Sequence, residues 1–347
     1  MESPQQTRNH MSLMNLKKKA QKLFKEFRNE DFLVGSSHRL YTDDIRWEID
    51  RLLLPSYLAE IEGPRFKEKY LALIDGLDEA SILAVSRIVS RAMQIKIFNG
   101  GYLDIYSSEE KETLDFIKYE YLPSFIKLED QLYSYKKWVF PSEQVSPCAA
   151  YYKHFVEELN SLDEIRNKCI IDAGAYIGDS ALFLSGYTQN KIFAFEPVLS
   201  NYEMLLRTIQ LNDLKNVTPL NLGLGARDEL INIVSDFSAS RYSNASTGVT
   251  NTESTHVTTL DDFVQKNGLA VGLIKVDVEG FEKQLLEGAM KTIREQKPSL
   301  LLSIYHSGAD FFDIKEIIQR LNLGYRFKIR QQFAGSVLPE TLLIAEA

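Results

Sequence analysis

The chain has 347 residues, 44% of them hydrophobic and 25% charged, with a formal net charge of −8. That length accommodates about two domains of ordinary size, and the acidic balance excludes a general nucleic-acid binder, which would carry a basic footprint. Two cysteines, Cys148 and Cys169, are too few for a disulfide scaffold and point to a reducing, cytoplasmic setting.

No long apolar run opens the chain, so neither a signal peptide nor a transmembrane segment is expected. Residues 1–40 read as a basic tail carrying LMNLKKKAQKLFKEF, an amphipathic stretch. A solvated or self-docked helix is the plain reading, and peripheral contact with an anionic membrane surface is the alternative.

Residues 41–145 read as a mainly helical domain. Ile45, Ile49, Leu52 and Leu53 recur at helical spacing until Pro55, which is expected to interrupt or kink the run. Asp78 is placed to cap a helix whose apolar face is Ile82, Val85, Ile88, Val89, Ala92 and Met93. NGG at 99–101 reads as a turn. Ser107 and Glu110 form a capping-box pattern ahead of a helix that Pro123 kinks or ends. The aromatic-rich segment YEYLPSFIKLEDQLYSYKKWVF reads as helix packing, with a lid or sugar-stacking platform over the next domain as the alternative; FPSEQVSPC then reads as a linker.

The texture changes in the last 198 residues, 150–347, where short apolar strands alternate with helices. CIID, KIFAF, VTPLNLGL, GLIKVD and SLLLSIY read as strands, INIVSD and HVTTL as an inserted pair, and YRFKIRQQ and ETLLIAEA as a closing pair. This predicts an α/β fold: a doubly wound, mostly parallel, seven-stranded Rossmann-like sheet with an antiparallel edge strand, preceded by the helical N-terminal domain.

In such sheets ligands bind outside the carboxyl ends of the strands. The first strand runs into IDAGAYIGDS, with Asp172, Gly174, Ala175, Tyr176, Gly178, Asp179 and Ser180 at the loop and helix start. A dinucleotide loop needs glycines where this one has Tyr176 and Asp179; the tyrosine obstructs close backbone approach and the aspartate repels a pyrophosphate. S-adenosylmethionine has no phosphate and carries a cationic sulfonium, so Asp172 or Asp179 can face it while Gly174 lets the backbone pass close. The second strand ends in Glu196-Pro197, 24 positions beyond Asp172, where an acid can accept both ribose hydroxyls.

The ordered set IDAGAYIGDS, AFEP, TLDDF, IKVDVEGFE and LLSIYH resembles the FkbM-type methyltransferases over roughly residues 165–346. The resemblance implies a class I methyltransferase fold, S-adenosylmethionine as methyl donor, and O-methylation of a small-molecule or glycan hydroxyl. It places Asp172, Gly174, Tyr176, Gly178 and Glu196 at the cofactor. The third strand departs from the expected pattern: it ends NLGLG without an acid for the adenine amino group, leaving Asn221 to serve through its side-chain carbonyl.

Methyl transfer needs an aligned acceptor and a group to take its proton. Asp277 and Glu279 follow the fourth strand and His306 the fifth, and a histidine titrating near neutrality suits a general base. The same three residues offer ligands to a divalent cation such as Mg or Mn, although their spacing matches no sharp metal motif. Lys275 reads as a structural residue within its strand. Two rival readings are a nucleotide-dependent oxidoreductase, opposed by Tyr176 and Asp179, and a non-catalytic methyltransferase-like interaction module, opposed by the acids at the strand ends.

Overall fold

The computed structural model describes residues 48–98, 106–236, 239–242 and 252–347. The basic N-terminal stretch, Ile45 and the NGG turn lie outside the described residues. Among the described residues no helix is long and apolar enough to cross a membrane.

Four helices open the described chain: α1 (Glu48–Ile61), α2 (Phe66–Ile74), α3 (Glu79–Phe98) and α4 (Ser108–Phe116). Helix α1 runs on through Pro55, contrary to the expected interruption; Ser56 Oγ donates to Leu53 O at 2.7 Å beside it. Asp78 caps α3 by accepting from Ser81 N at 2.7 Å, and the Ser107–Glu110 capping box is complete on α4. The α3 face is narrower than its spacing suggested. Val85, Ile88, Val89 and Ala92 are buried, but Met93 is exposed and Ile95 takes its place.

After α4 the chain departs from the helical reading. It widens through a π turn, Ile117–Tyr121, and then tightens through a 3₁₀ turn, Leu122–Ser124. It then forms an antiparallel meander of β1 (Phe125–Glu129), β2 (Leu132–Tyr135) and β3 (Trp138–Phe140). The two turns place Gln131 and Lys136 at φ 53°. Without glycine or asparagine there, the sequence carried no hairpin signal.

The central sheet contains β4 (Cys169–Ala173), β5 (Ile192–Phe195) and β6 (Val217–Leu220), then, after an insertion, β11 (Val271–Val276), β12 (Ser299–Ser303), β13 (Arg326–Gln331) and β14 (Thr341–Glu346). The insertion is a second sheet of β7 (Gly223–Leu224), β8 (Glu229–Asp236), β9 (Ala239–Tyr242) and β10 (Thr252–Thr258), in which β8 and β10 pair antiparallel as expected. The order across the central sheet is β13-β14-β12-β11-β4-β5-β6. Pairing from β12 through β6 is parallel, whereas β14 is antiparallel to both neighbours. The antiparallel strand is therefore not at the edge but one position in. The reason is composition: β14 is buried at every position, while half-exposed β13 tolerates the edge. Helix α3 covers that edge, and Ile329 N donates to Ser81 Oγ at 2.8 Å.

Alternation along the buried strands divides the core. Ile171, Ile274, Leu300 and Leu302 join one cluster with α7 (Leu260–Asn267), α8 (Glu282–Glu287), α9 (Met290–Gln296) and α10 (Gly308–Gln319); α1–α3 pack into this same cluster. Ile170, Ile192, Leu273 and Leu301 face the opposite way, against α5 (Asp179–Leu184) and α6 (Leu199–Leu211). The sheet is thus covered on both faces, and its carboxyl edge brings the ends of β4, β5, β11 and β12 together.

Candidate active site

The loop after β4 is held open by backbone geometry. Gly174 and Gly178 sit at φ +79° and +86°, where a side chain is strained. A Cβ on Gly174 would lie 1.8 Å from the carbonyl oxygen of Asp277, so the glycine is demanded by the neighbouring strand end. This is a different requirement from the close cofactor approach inferred from sequence. Gly178 abuts Leu205 of α6. Tyr176 adopts φ 47° despite its side chain. Its amide donates to Glu196 Oε2 at 2.9 Å and its hydroxyl to Gln144 Oε1 at 3.0 Å, which fix the turn. The buried Ala175 and the amide of Gly174 both lean on β5 through Phe195 O.

Asp172 does not face a ligand space. It is fully buried; Lys275 Nζ lies 3.1 Å from its Oδ1, and Ser180 Oγ donates to its Oδ2 at 2.6 Å. The same ammonium donates to Gly174 O at 2.8 Å. Register explains the pair, since Lys275 and Asp172 are partners across β11 and β4. Burial alone would lower the Lys275 pKa, but Asp172 and other nearby carboxylates outweigh it and hold the amine above its ordinary value. Asp179 is also turned inward, accepting from Ser146 N and Ser180 N at 2.9 Å, and burial pushes its carboxyl up to about 6. The two acids expected to face a sulfonium instead anchor the loop, one to β11 and the other to the segment leading from the meander.

Glu196 stands just beyond β5, close to the loop. Its Oε1 accepts from Val198 N at 3.0 Å and Asn201 Nδ2 at 3.3 Å, while Oε2 takes the Tyr176 amide. It is 4% exposed, and burial pushes it up to about 7. Asn221 donates its amide to the carbonyls of Glu196 and Pro197, fixing this strand end and leaving its own carbonyl as an acceptor.

A second group forms beyond β11 and β12. His306 is 7% exposed; its Nε2 lies 3.6 Å from Asp277 Oδ1 and 3.5 Å from Glu279 Oε2, and its Nδ1 lies 2.8 Å from Glu282 Oε1. Glu279 and Gly280, at φ 54° and 97°, make the turn that brings Glu282 back beneath the histidine. Tyr305 Oη donates to Asp277 Oδ1 at 3.3 Å. Burial alone would lower His306, but the carboxylates of Glu282, Glu279 and Asp277 outweigh it and raise it to about 10. In this arrangement it is an imidazolium at neutral pH, not the free base expected from its ordinary titration. Glu340, before β14, is raised to about 7 by burial and by Asp277, and accepts from Cys148 Sγ at 3.0 Å.

The three residues expected at the acceptor, Asp277, Glu279 and His306, thus come together, as do Tyr176, Glu196 and Asn221, expected at the cofactor. Sequence reasoning missed Glu282 and Glu340 as members and Lys275 as the clamp on Asp172. Glu282 had a signal, as the last acid of IKVDVEGFE; Glu340 had none.

This loop, the strand-end acid and the strand order define a methyltransferase-like α/β fold. Residues 172–327 match the family model described as Methyltransferase FkbM domain. The crystal structure of Methyltransferase FkbM from Methylobacillus flagellatus KT superposes with a TM-score of 0.51 at 20% identity, covering 83% of this chain and 60% of that one, a likeness of fold. The chain therefore spans 60% of that protein's length. A protein named Methyltransferase 1 from Beauveria bassiana (strain ARSEF 2860) is 27% identical over 200 residues, 51% of this chain and 80% of the other.

Proposed function

We propose that the protein is an S-adenosylmethionine-dependent O-methyltransferase, built on the doubly wound class I sheet, acting on a hydroxyl of a sugar, glycan or other hydroxylated metabolite. The observation that carries this reading is the bond from the Tyr176 amide to Glu196, which joins the loop and the strand-end acid into one unit. Carboxylate oxygens have about four lone-pair sites; Tyr176 N, Val198 N and Asn201 Nδ2 occupy three, so Glu196 keeps one for a ribose hydroxyl and gains a second where the hydroxyl displaces the long 3.3 Å bond from Asn201. The donor set fits this cofactor and not a pyrophosphate. Glu196, Asp277 and Glu279 are acids at neighbouring strand ends, and the cation beside the loop, Lys275, is 3% exposed and committed to Asp172 and Gly174 O.

Bound there, the cofactor supplies an activated methyl group, so the protein's task is alignment and proton removal. Asn221 offers its carbonyl to the adenine amino group. Asp277, whose side chain is 24% exposed against 7% for His306, holds the acceptor hydroxyl and takes its proton. The N-terminal helices support this side: Tyr57 Oη donates to Tyr305 O at 3.3 Å, and Gly308 N to Ser56 Oγ at 3.1 Å. Tritiated-methyl transfer to a panel of hydroxylated acceptors tests the reading. Wild type should label at least one acceptor class on oxygen, and Asp277→Asn should retain S-adenosylhomocysteine binding while losing transfer at least tenfold. Transfer to nitrogen or carbon only would refute it.

A further inference from the structure

The acceptor-side cluster has features that neither hydrogen bonding nor packing explains. Asp277, Glu282 and His306 come from three elements: the end of β11, the start of α8 and the residue-306 turn after β12. One ligand atom from each lies within 4.8 Å of the other two. Glu282 is 0% exposed; its Oε1 accepts from Val278 N at 3.0 Å, but its Oε2 has no partner. Neither ring nitrogen of His306 is in hydrogen-bonding geometry with a neighbour, despite burial and the short approach to Glu282. Unpartnered buried polar atoms of this kind are costly. Glu279 lies 3.5 Å from the same ring. Three carboxylates thus crowd one imidazole, with Glu282 fully buried and Asp277 and Glu279 partly exposed.

We infer that Asp277, Glu282 and His306 form a divalent-cation site on the acceptor side of the cleft. Carboxylates with one imidazole suit Mg or Mn better than softer metals. Octahedral ligands at about 2.1 Å stand about 3.0 to 4.2 Å apart, so the observed separations need only a small contraction. Such an ion adds two positive charges among the carboxylates, engages the orphaned Glu282 oxygen and takes a ring nitrogen in place of the proton. Asp277 is the exposed member, so the open coordination positions face the space assigned to the acceptor, and the chemical class that fits them is a hydroxyl or vicinal diol oxygen. The site's existence is independent of the methyltransferase reading; only its use in orienting an acceptor rests on that reading.

Binding of Mn²⁺ alone to the full chain, after treatment with chelator, tests this. Titration followed by the loss of the free-ion electron paramagnetic resonance signal should show one Mn²⁺ per chain, competed by Mg²⁺. Pulsed spectra should show one coupled histidine nitrogen, and that coupling should vanish in His306→Gln. Glu282→Gln should weaken binding at least tenfold, while Asp130→Asn, on the exposed meander, should leave it unchanged. Absence of binding by wild type at millimolar Mn²⁺ overturns the proposal. So does binding without a histidine nitrogen, which wild type reports even if a variant does not fold. S-adenosylhomocysteine binding measured in chelator separates the two readings: cofactor binding without Mn²⁺ binding removes the metal site alone, and Mn²⁺ binding without cofactor binding removes the methyltransferase reading alone.

Discussion

Lys275 Nζ lies 3.1 Å from Asp172 Oδ1 across two adjacent parallel strands, with side chains 3% and 0% exposed. This internal pair, with the bond from Lys275 to Gly174 O, ties the loop after β4 to β11, the strand that leads into Asp277. The loop and Asp277 are therefore linked through this pair.

Removing one member of a buried pair leaves an uncompensated charge, at a cost of about 3–5 kcal/mol. Lys275→Met should lower stability by that amount in urea unfolding. The double variant Lys275→Met/Asp172→Asn should recover part of the loss, because the stranded carboxylate is gone. Equal stability of the single and double variants would show that the pair is not coupled.

The two loop glycines are not equivalent. In Gly174→Ala the new methyl meets the carbonyl of Asp277 at 1.8 Å, and both groups are backbone at the ends of adjacent central strands. In Gly178→Ala it meets Leu205 Cδ1, the far end of a flexible side chain, at 2.7 Å. Gly178→Ala should cost about 1–2 kcal/mol, chiefly from its left-handed backbone. Gly174→Ala should cost about 3 kcal/mol or more, or fail to fold. Thermal unfolding of both variants checks the order.

Glu196 should make stability and binding respond to pH in opposite senses. Its folded pKa, about 7, is above its ordinary value of 4.5, so the folded state holds the proton more tightly. This contribution to stability is present below about pH 4.5 and is lost as pH rises toward 7, at up to about 1.4 kcal/mol per pH unit. Asp179 and Glu340 act in the same direction, so the informative quantity is the difference between wild type and Glu196→Gln, which should isolate this slope. Acceptance of ribose hydroxyls requires the carboxylate, so S-adenosylhomocysteine affinity should fall as pH drops below 7. A wild-type affinity flat from pH 5.5 to 8 would contradict that role.

Much of the fold was legible because strand texture is a local signal. The apolar runs around Ile171, Ile274 and Leu301 are buried on both faces and bounded by loop residues, as parallel strands require. The place of β14 was not legible, because insertion of the last strand beside β12 depends on pairing between distant segments. The meander was hidden by turns built on Gln131 and Lys136 in place of glycine. At the site, residue types indicated which groups gather but not which way they point. Asp172 and Asp179 read as ligand-facing acids, yet the cross-strand position of Lys275 and the approach of Ser146 turn both inward. His306 read as a neutral base because Glu282, its partner at 2.8 Å, was not counted with it.

Isothermal titration of the full chain with S-adenosylhomocysteine and, separately, with NAD tests most directly whether the loop holds S-adenosylmethionine through Glu196. The expected result is saturable one-to-one binding of S-adenosylhomocysteine, weakened about 10- to 100-fold in Glu196→Gln by loss of about 1.5–3 kcal/mol of charged hydrogen bonding, with no heat from NAD. Binding of NAD alone, or S-adenosylhomocysteine binding unchanged in Glu196→Gln, would contradict it.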